Sequence, residues 1–289
     1  MNVFVFYLVL PILYLISLLP FKIIYWLSDF LYIIIFYFFG YRKKIVLQNL
    51  RNSFPKKTDQ EIIKIQKDFY RYFCDLILET IKTLSITSEE INRHIVFKDT
   101  SVFKKIYDQQ QSAIVVMGHF GNWELAGAAF SQQPFHKLYV IYHPLSNKYF
   151  DKLFIYMRTR LGNNVYAMHD ALRGMIKDRD KLTLTTFIAD QTPSPKGAYW
   201  TSFLNQETPV FKGTEKIAKK LNYPIIYVSI KRPKRGLYEI ESELLVAESN
   251  KTTEDQISEL HTNKLEKDII EQPEIWLWTH RRWKHKKSN

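Results

Sequence analysis

The sequence predicts an α/β protein: a mostly parallel sheet flanked by helices, preceded by an N-terminal hydrophobic membrane-anchor helix. Three observations carry this. Apolar strand-like runs alternate with helix-like segments through the middle of the chain, an order that builds parallel sheets with helices on both faces. One such run, SAIVVMG, is continuously apolar, as suits a strand buried on both sides. The first 39 residues, in contrast, are dense in aromatic and aliphatic side chains. The expected organisation is an anchor over residues 1–40 and one α/β domain over 41–289, with no internal repeat or low-complexity tract.

The anchor begins with VFVFYLVLPILYLISLL, 17 residues without a charge, near the lower limit for a bilayer span. It lacks the basic start and small-residue cleavage site of a secretory signal, so it reads as retained. FKIIYWLSDFLYIIIFYFF follows, charged only at Lys22 and Asp29, and reads as a second span or an interfacial helix. Pro11 and Pro20 predict a bend within the first run and a break between the two. Arg42, Lys43 and Lys44 come next and put the downstream chain on the cytoplasmic side by the positive-inside rule.

Thr58 and Glu61 form a capping box ahead of a helix carrying Ile62, Phe69, Phe73, Leu76 and Ile77. SAIVVMG is then strand, and NWELAGAAF helix with Asn122 at its N-cap. KLYVIYH reads as strand, and NKYFDKLFIYMRTRLG as an amphipathic helix ended by Gly162. NVYAM, DALRGMIKD and KLTLTTFIAD continue as strand, helix and strand. Past a loop rich in Pro, Ser and Gly, GTEKIAKKLN is helix. YPIIYVSIKR and GLYEIESELLV form an antiparallel pair of strands, and TTEDQISELHTNKLEKDII is the last long helix.

A formal charge of +12 predicts a basic surface, drawn to phosphates, anionic lipid head groups or an acidic protein. The single cysteine, Cys74, excludes an intramolecular disulfide and reads as a small buried hydrophobe among Phe73, Leu76 and Ile77. WLWTHRRWKHKK mixes tryptophan with cations, which suits the head-group layer of an anionic membrane. An anchor at the other end argues against a nucleic-acid partner. His94, His136, His143, His169, His261 and His285 have no distinctive context and read as ordinary polar residues.

Chemistry concentrates in GHFGNWE. Residues five apart on one helix point about 140° away from each other. A contact between His119 and Glu124 therefore needs His119 in the loop before the helix, which Gly118 and Gly121 permit. Such a pair fixes the imidazole tautomer and lets the free ring nitrogen take a proton from a hydroxyl. The spacing matches no zinc signature, so no metal is expected. By spacing alone, a polar turn remains as good a reading. Asp190 ends a strand before a Gln-Thr-Pro turn and reads equally as a turn cap. Arg158 and Arg160 read either as anion-binding groups or as a solvated face pairing with Asp151 or Asp178. Lys212 and Gly213 open a helix whose amides suit an anion, or a solvated lysine-rich face.

GHFGNWE resembles the His-x4-Asp/Glu signature of membrane acyltransferases that include the glycerolphosphate acyltransferases. Its flanks resemble most closely the lipid A biosynthesis lauroyl/myristoyl transferases. The likeness runs through nearly the whole chain in order: IVLQNLRNSFP, GHFGNWE, YMRTRLGNNV, FIADQTP, TPVFKGTEKIAKKLNYPII and WLWTHRRWK. Glu124 stands where many of the wider superfamily carry Asp.

The resemblance implies a glycerolphosphate-acyltransferase-like fold and a membrane-bound enzyme facing the cytoplasm at the inner membrane. It implies transfer of a fatty acyl chain from an acyl-carrier-protein thioester, with coenzyme A the other donor open to it, to a hydroxyl of a lipid A precursor. His119 would deprotonate that hydroxyl and Glu124 would orient His119, with no acyl-enzyme and no cofactor. Arg158, Arg160, Asp190, Gln191, Asn122 and Lys212 are the expected substrate-binding or oxyanion residues, Arg158 and Arg160 sharing the oxyanion role with amides near Gly121. The competing readings are an acyltransferase for a glycerophospholipid, an aminolipid or a glycosylated lipid, and a non-enzymatic basic membrane-surface protein.

Overall fold

The computed structural model describes residues 3–287. Two apolar helices, α1 (Val3–Leu18) and α2 (Phe21–Ile33), lead; α2 runs on through a wider helical turn, Ile34–Phe39. Next come α3 (Lys43–Ser53), α4 (Asp59–Lys82), α5 (Ser88–His94), β1 (Ile95–Phe97) and α6 (Ser101–Asp108). The central units are β2 (Ala113–Met117), α7 (Trp123–Phe130), β3 (Lys137–Tyr142), α8 (Lys148–Thr159), β4 (Asn164–Ala167), α9 (Ala171–Lys177) and β5 (Thr183–Ile188). Then follow β6 (Tyr199–Phe203), β7 (Gln206–Val210), α10 (Gly213–Leu221), β8 (Ile225–Lys234), β9 (Leu237–Val246) and α11 (Gln256–Glu271).

Seven strands form one sheet in the order β1-β9-β8-β2-β5-β3-β4, parallel except for the β8–β9 pair. The expected α/β class and the expected antiparallel hairpin are both present. β2 lies at the centre, every residue of it buried, which explains its unbroken apolar run. The Thr58–Glu61 capping box closes both ways on α4, and Asn122 caps α7 by accepting from the Leu125 amide at 2.9 Å.

Two expectations change. The segment read as a loop before α10 contains the β6–β7 hairpin, turned by Leu204 and Asn205 at φ of 50° and 60°. Its turn is Leu-Asn, without the glycine that marks such hairpins in a sequence. And of the two apolar runs, the first makes a helix of only 16 residues, while the second is continuous over the 19 residues Phe21–Phe39. At 1.5 Å per residue these reach roughly 24 and 28 Å. The second is therefore the candidate anchor.

α2 lies antiparallel along α4. Phe21, Ile24, Ser28, Tyr32 and Phe36 form its buried stripe, at the spacing of a one-sided helix. The contact is polar as well as apolar: Tyr25 donates to Glu79 at 2.8 Å and Ser28 to Asp75 at 2.6 Å. Arg235, at the β8–β9 turn, bridges Asp29 and Asp75.

Candidate active site

In parallel sheets, sites gather where strands end and loops begin. β2 pairs β5 with Met117 opposite Ile188, and the Ala189 amide donates to the Met117 carbonyl at 3.0 Å. That register sets the first loop residues of the two strands side by side. His119 and Asp190, 71 positions apart in sequence, meet there.

The contact is twofold. His119 Nδ1 lies 2.6 Å from one Asp190 oxygen, and the His119 backbone N–H donates to the other at 2.8 Å. The indole of Trp276 donates to that second oxygen at 2.8 Å. A carboxylate only accepts, so Nδ1 carries the proton and Nε2 presents its lone pair. Burial would raise the Asp190 pKa, but the positive charge His119 carries when protonated, and hydrogen bonds from His119 and Trp276, outweigh it and hold it at about 2. Asp190 is thus buried and ionised near neutral pH, with its oxygens on His119 and Trp276. Nε2 faces a cavity, with the Gln191 amide nitrogen 3.3 Å away, and Trp123 meets the ring edge-on at 4.9 Å between centroids.

The loop is clamped from the far side. Phe120 bridges Trp276 in antiparallel fashion, the Leu277 amide donates to the His119 carbonyl, and the Gly121 amide to that of Ile275. Gly121 sits at φ +64°, and a Cβ there would stand 2.2 Å from the Ile230 carbonyl oxygen, so only glycine fits.

Glu124 takes a different partner from the one expected. It lies on the first turn of α7 and receives the guanidinium of Arg158, from the last turn of α8, in a bidentate pair at 3.0 and 2.5 Å. Both its oxygens are engaged there, while the Nδ1 of His119 already belongs to Asp190. The His–Glu contact is therefore replaced by a His–Asp contact and a Glu–Arg contact in one cavity. Burial would lower the Arg158 pKa, but Glu124 holds it raised, so the fork stays charged.

The cavity measures about 580 Å³, within the usual span for a ligand site. His119, Glu124, Arg158 and Gln191 are among its polar lining groups. Its walls are apolar: Met117, Leu138 and Phe187 from the sheet, Phe130 from α7, Phe154 and Met157 from α8. A long hydrocarbon fits this division of surfaces.

Three expected site residues serve elsewhere. Arg160 donates to the Thr83 and Ile86 carbonyls at 3.2 and 2.8 Å, fastening the end of α8 to the end of α4. Asn122 is fully buried, capping α7 with its oxygen and donating to Glu79 at 2.7 Å. Lys212 is neutralised by Glu254 and Asp255 at 2.7 and 2.6 Å, which raise its pKa and occupy the charge an anion would need.

The tryptophan-rich tail also differs from expectation. Trp276 and Trp278 are buried, and their indoles donate inward, to Asp190 and to the Pro273 carbonyl. Trp276 joins the candidate site through that hydrogen bond, a contact no local pattern signals, since its partner lies 86 positions upstream.

Behind Asp190 lies a small chamber of about 10 Å³, lined among others by His261 and Arg282. His261 is buried, and burial pushes its pKa down from 6.5 to about 4. It is thus no ordinary polar residue. Because the unfolded chain binds this proton more readily, the contribution of neutral His261 is complete above pH 6.5 and lost as pH falls toward 4. The drop corresponds to roughly 3 kcal/mol at the acid limit. The thermal midpoint is expected to fall between pH 7 and pH 5, and to fall less steeply in His261→Gln. Parallel curves for the two proteins would refute this.

A family model described as bacterial lipid A biosynthesis acyltransferase matches residues 1–285. The chain is 25% identical to the lipid A biosynthesis lauroyltransferase of Escherichia coli K12, over 94% of this chain and 89% of the relative. It is 24% identical to the lipid A biosynthesis palmitoleoyltransferase of the same organism, over 84% of this chain and 79% of the relative. A lipid A biosynthesis acyltransferase of Shigella flexneri matches to the same extent.

Proposed function

The chain belongs to the bacterial lipid A biosynthesis acyltransferases, and we propose from that premise that it moves a fatty acyl chain from an acyl-carrier-protein thioester to a hydroxyl of a lipid A precursor. The observation that carries this reading is a histidine whose Nε2 faces an apolar cavity beside the Gln191 amide, with Nδ1 held by a buried carboxylate.

In the proposed reaction the acceptor hydroxyl takes the place of the Gln191 amide beside Nε2. His119 removes its proton as the oxygen attacks the thioester carbonyl. The imidazolium that forms is stabilised by Asp190, which keeps its charge throughout. The tetrahedral intermediate collapses, the C–S bond breaks, and Nε2–H returns the proton to the departing thiolate. Gln191 and the remaining N–H groups of Arg158 are our choice of oxyanion donors; both line the cavity, whereas the Gly121 amide is spent on Ile275. Glu124 holds the Arg158 fork in position. A covalent acyl-cysteine finds no support, since burial pushes the thiol of buried Cys74 up to about 12.

The basic surface suits all three expected partners: an acidic carrier protein, a phosphorylated lipid A precursor and an anionic inner membrane. The reading places the α/β domain on the cytoplasmic face of that membrane, with residues 1–40 as the anchor. Incubating the purified protein with acyl-carrier-protein thioester and a lipid A precursor is expected to add one acyl mass to the precursor. Transfer confined to a lysophospholipid or an aminolipid acceptor in the same mass-spectrometric assay would overturn the acceptor assignment.

A further inference from the structure

Both N-terminal helices pack against α4, and α2 does so through buried charged groups. We propose that they hold the protein in the plane of one leaflet of an anionic phospholipid bilayer without crossing it, an inference that rests on the membrane-bound reading above.

The inner face of α2 is bound to charged groups along its length. Asp75 and Glu79 are buried against it, and Arg235 joins Asp29, Asp75 and the Tyr25 carbonyl. If α2 crossed, its midpoint near Asp29 would lie at the hydrocarbon centre and carry these groups with it. The β8–β9 turn that holds Arg235 would follow to the same depth. Charges there are costly, and non-helical backbone is excluded from lipid-exposed positions at that depth. α1 is tied as well: the Leu19 carbonyl accepts from Lys82 and the Ser17 carbonyl from Ser85.

The outer faces are the reverse. On α2, Ile23, Trp26, Phe30, Ile33 and Tyr37 are exposed at three- and four-residue spacing. α1 differs: it is apolar nearly all round, with Phe4, Tyr7, Leu8, Ile12, Tyr14 and Leu15 exposed on more than one face and only Phe6 and Ser17 buried. On α2, an apolar stripe opposite a polar, docked stripe is the pattern of a helix lying in an interface. Exposed Lys22 at one end of α2 and exposed Arg42 and Lys44 beyond the other give the stripe basic flanks, which match anionic head groups. α1 also rests Phe6 on Tyr149 and Phe150 of α8, and later turns of α8 line the cavity. The lipid-facing layer is thus one helix away from the acyl site.

Lys22 separates the alternatives. With Arg42–Lys44 cytoplasmic, any crossing by α2 delivers residue 22 to the periplasmic side; in-plane docking keeps it cytoplasmic. The Lys22→Cys protein, expressed at full length, is exposed to a membrane-impermeant maleimide in spheroplasts and in inverted inner-membrane vesicles. The buried thiol of Cys74 serves as the background control. We expect at least tenfold more labelling in inverted vesicles than in spheroplasts. The opposite ratio overturns in-plane docking and leaves the membrane reading intact. Recovery in the soluble fraction overturns both. Labelling from neither side, with disulfide crosslinking to a second copy, overturns the lipid occupant in favour of a protein interface. Independently, Trp26→Ser with Phe30→Ser is expected to cut flotation of the purified protein with phosphatidylethanolamine–phosphatidylglycerol vesicles about tenfold. Unchanged flotation by a folded variant counts against the proposal.

Discussion

Replacing His119 with alanine is expected to reduce acyl transfer by about 10³-fold or more, since a positioned general base contributes roughly 10²–10⁴ and no second group shares its position. The loss should appear in kcat. In the proposed reaction the imidazole meets the acceptor hydroxyl, whereas the apolar cavity walls are untouched by the substitution. Stability should fall modestly, because the buried Asp190 loses its Nδ1 donor while the backbone contacts of residue 119 to Asp190 and Leu277 persist. Single-turnover transfer from an acyl-carrier-protein thioester, with membrane association and circular dichroism as folding controls, measures both. An alanine variant retaining a tenth of wild-type kcat would remove His119 from the mechanism.

The second large effect is expected at Asp190. Asparagine keeps the shape and can still accept from the His119 backbone and from Trp276. It cannot accept from Nδ1–H with the amide turned the other way, and it offers no charge to the imidazolium. The favoured tautomer then places the proton on Nε2, where a base must be unprotonated. A loss of about 10⁴-fold is the precedent for this substitution in a serine-protease triad, and about 10²–10⁴-fold is expected here. Glu124→Gln provides the contrast. It loosens the Arg158 fork but leaves His119 oriented, so its loss should be clearly smaller and weighted toward KM. If Glu124→Gln proved the more damaging in kcat, the orienting role would move from Asp190 back to Glu124.

That contrast shows what the sequence could and could not disclose. His119 in a loop after a buried strand was legible, because glycines flank it and an apolar run precedes it. Asp190 was legible as a strand-end carboxylate. Their meeting was not, because it depends on the register of two parallel strands separated by α7, β3, α8, β4 and α9. Spacing suggested the near neighbour Glu124, and the fold supplied the distant one. Arg158 and Arg160 were indistinguishable in MRTRLG; two positions at a helix end turn one guanidinium into the cavity and the other onto the α4 terminus. Lys212 looked free because its partners, Glu254 and Asp255, lie far along the chain, the first of them 42 positions later. The main strands and helices and the β8–β9 pairing are local patterns, and local patterns are what a sequence displays. The β6–β7 hairpin escaped because its turn lacks glycine.

The apolar N-terminus had the opposite difficulty. Composition was unmistakable, yet it could not tell a helix surrounded by lipid from one with a single lipid-facing side. The difference lies in Ser28 and Asp29, two polar residues that look like tolerated interruptions in a span. In the fold they are contacts to Asp75 and Arg235.

The hydrogen bond from Trp276 to Asp190 has a consequence for how the enzyme is made. Chains emerge from the ribosome in sequence order and domains begin to fold as they appear. All the strands and both residues of the His–Asp pair precede Trp276, so the sheet can assemble around a carboxylate that still lacks its indole donor and a loop that still lacks its clamp. A nascent protein therefore has its apolar N-terminal helices first and the indole and clamp that complete the His119–Asp190 loop last. On the proposed reading, a chain released before Trp276 would reach the membrane with its His–Asp pair still unclamped.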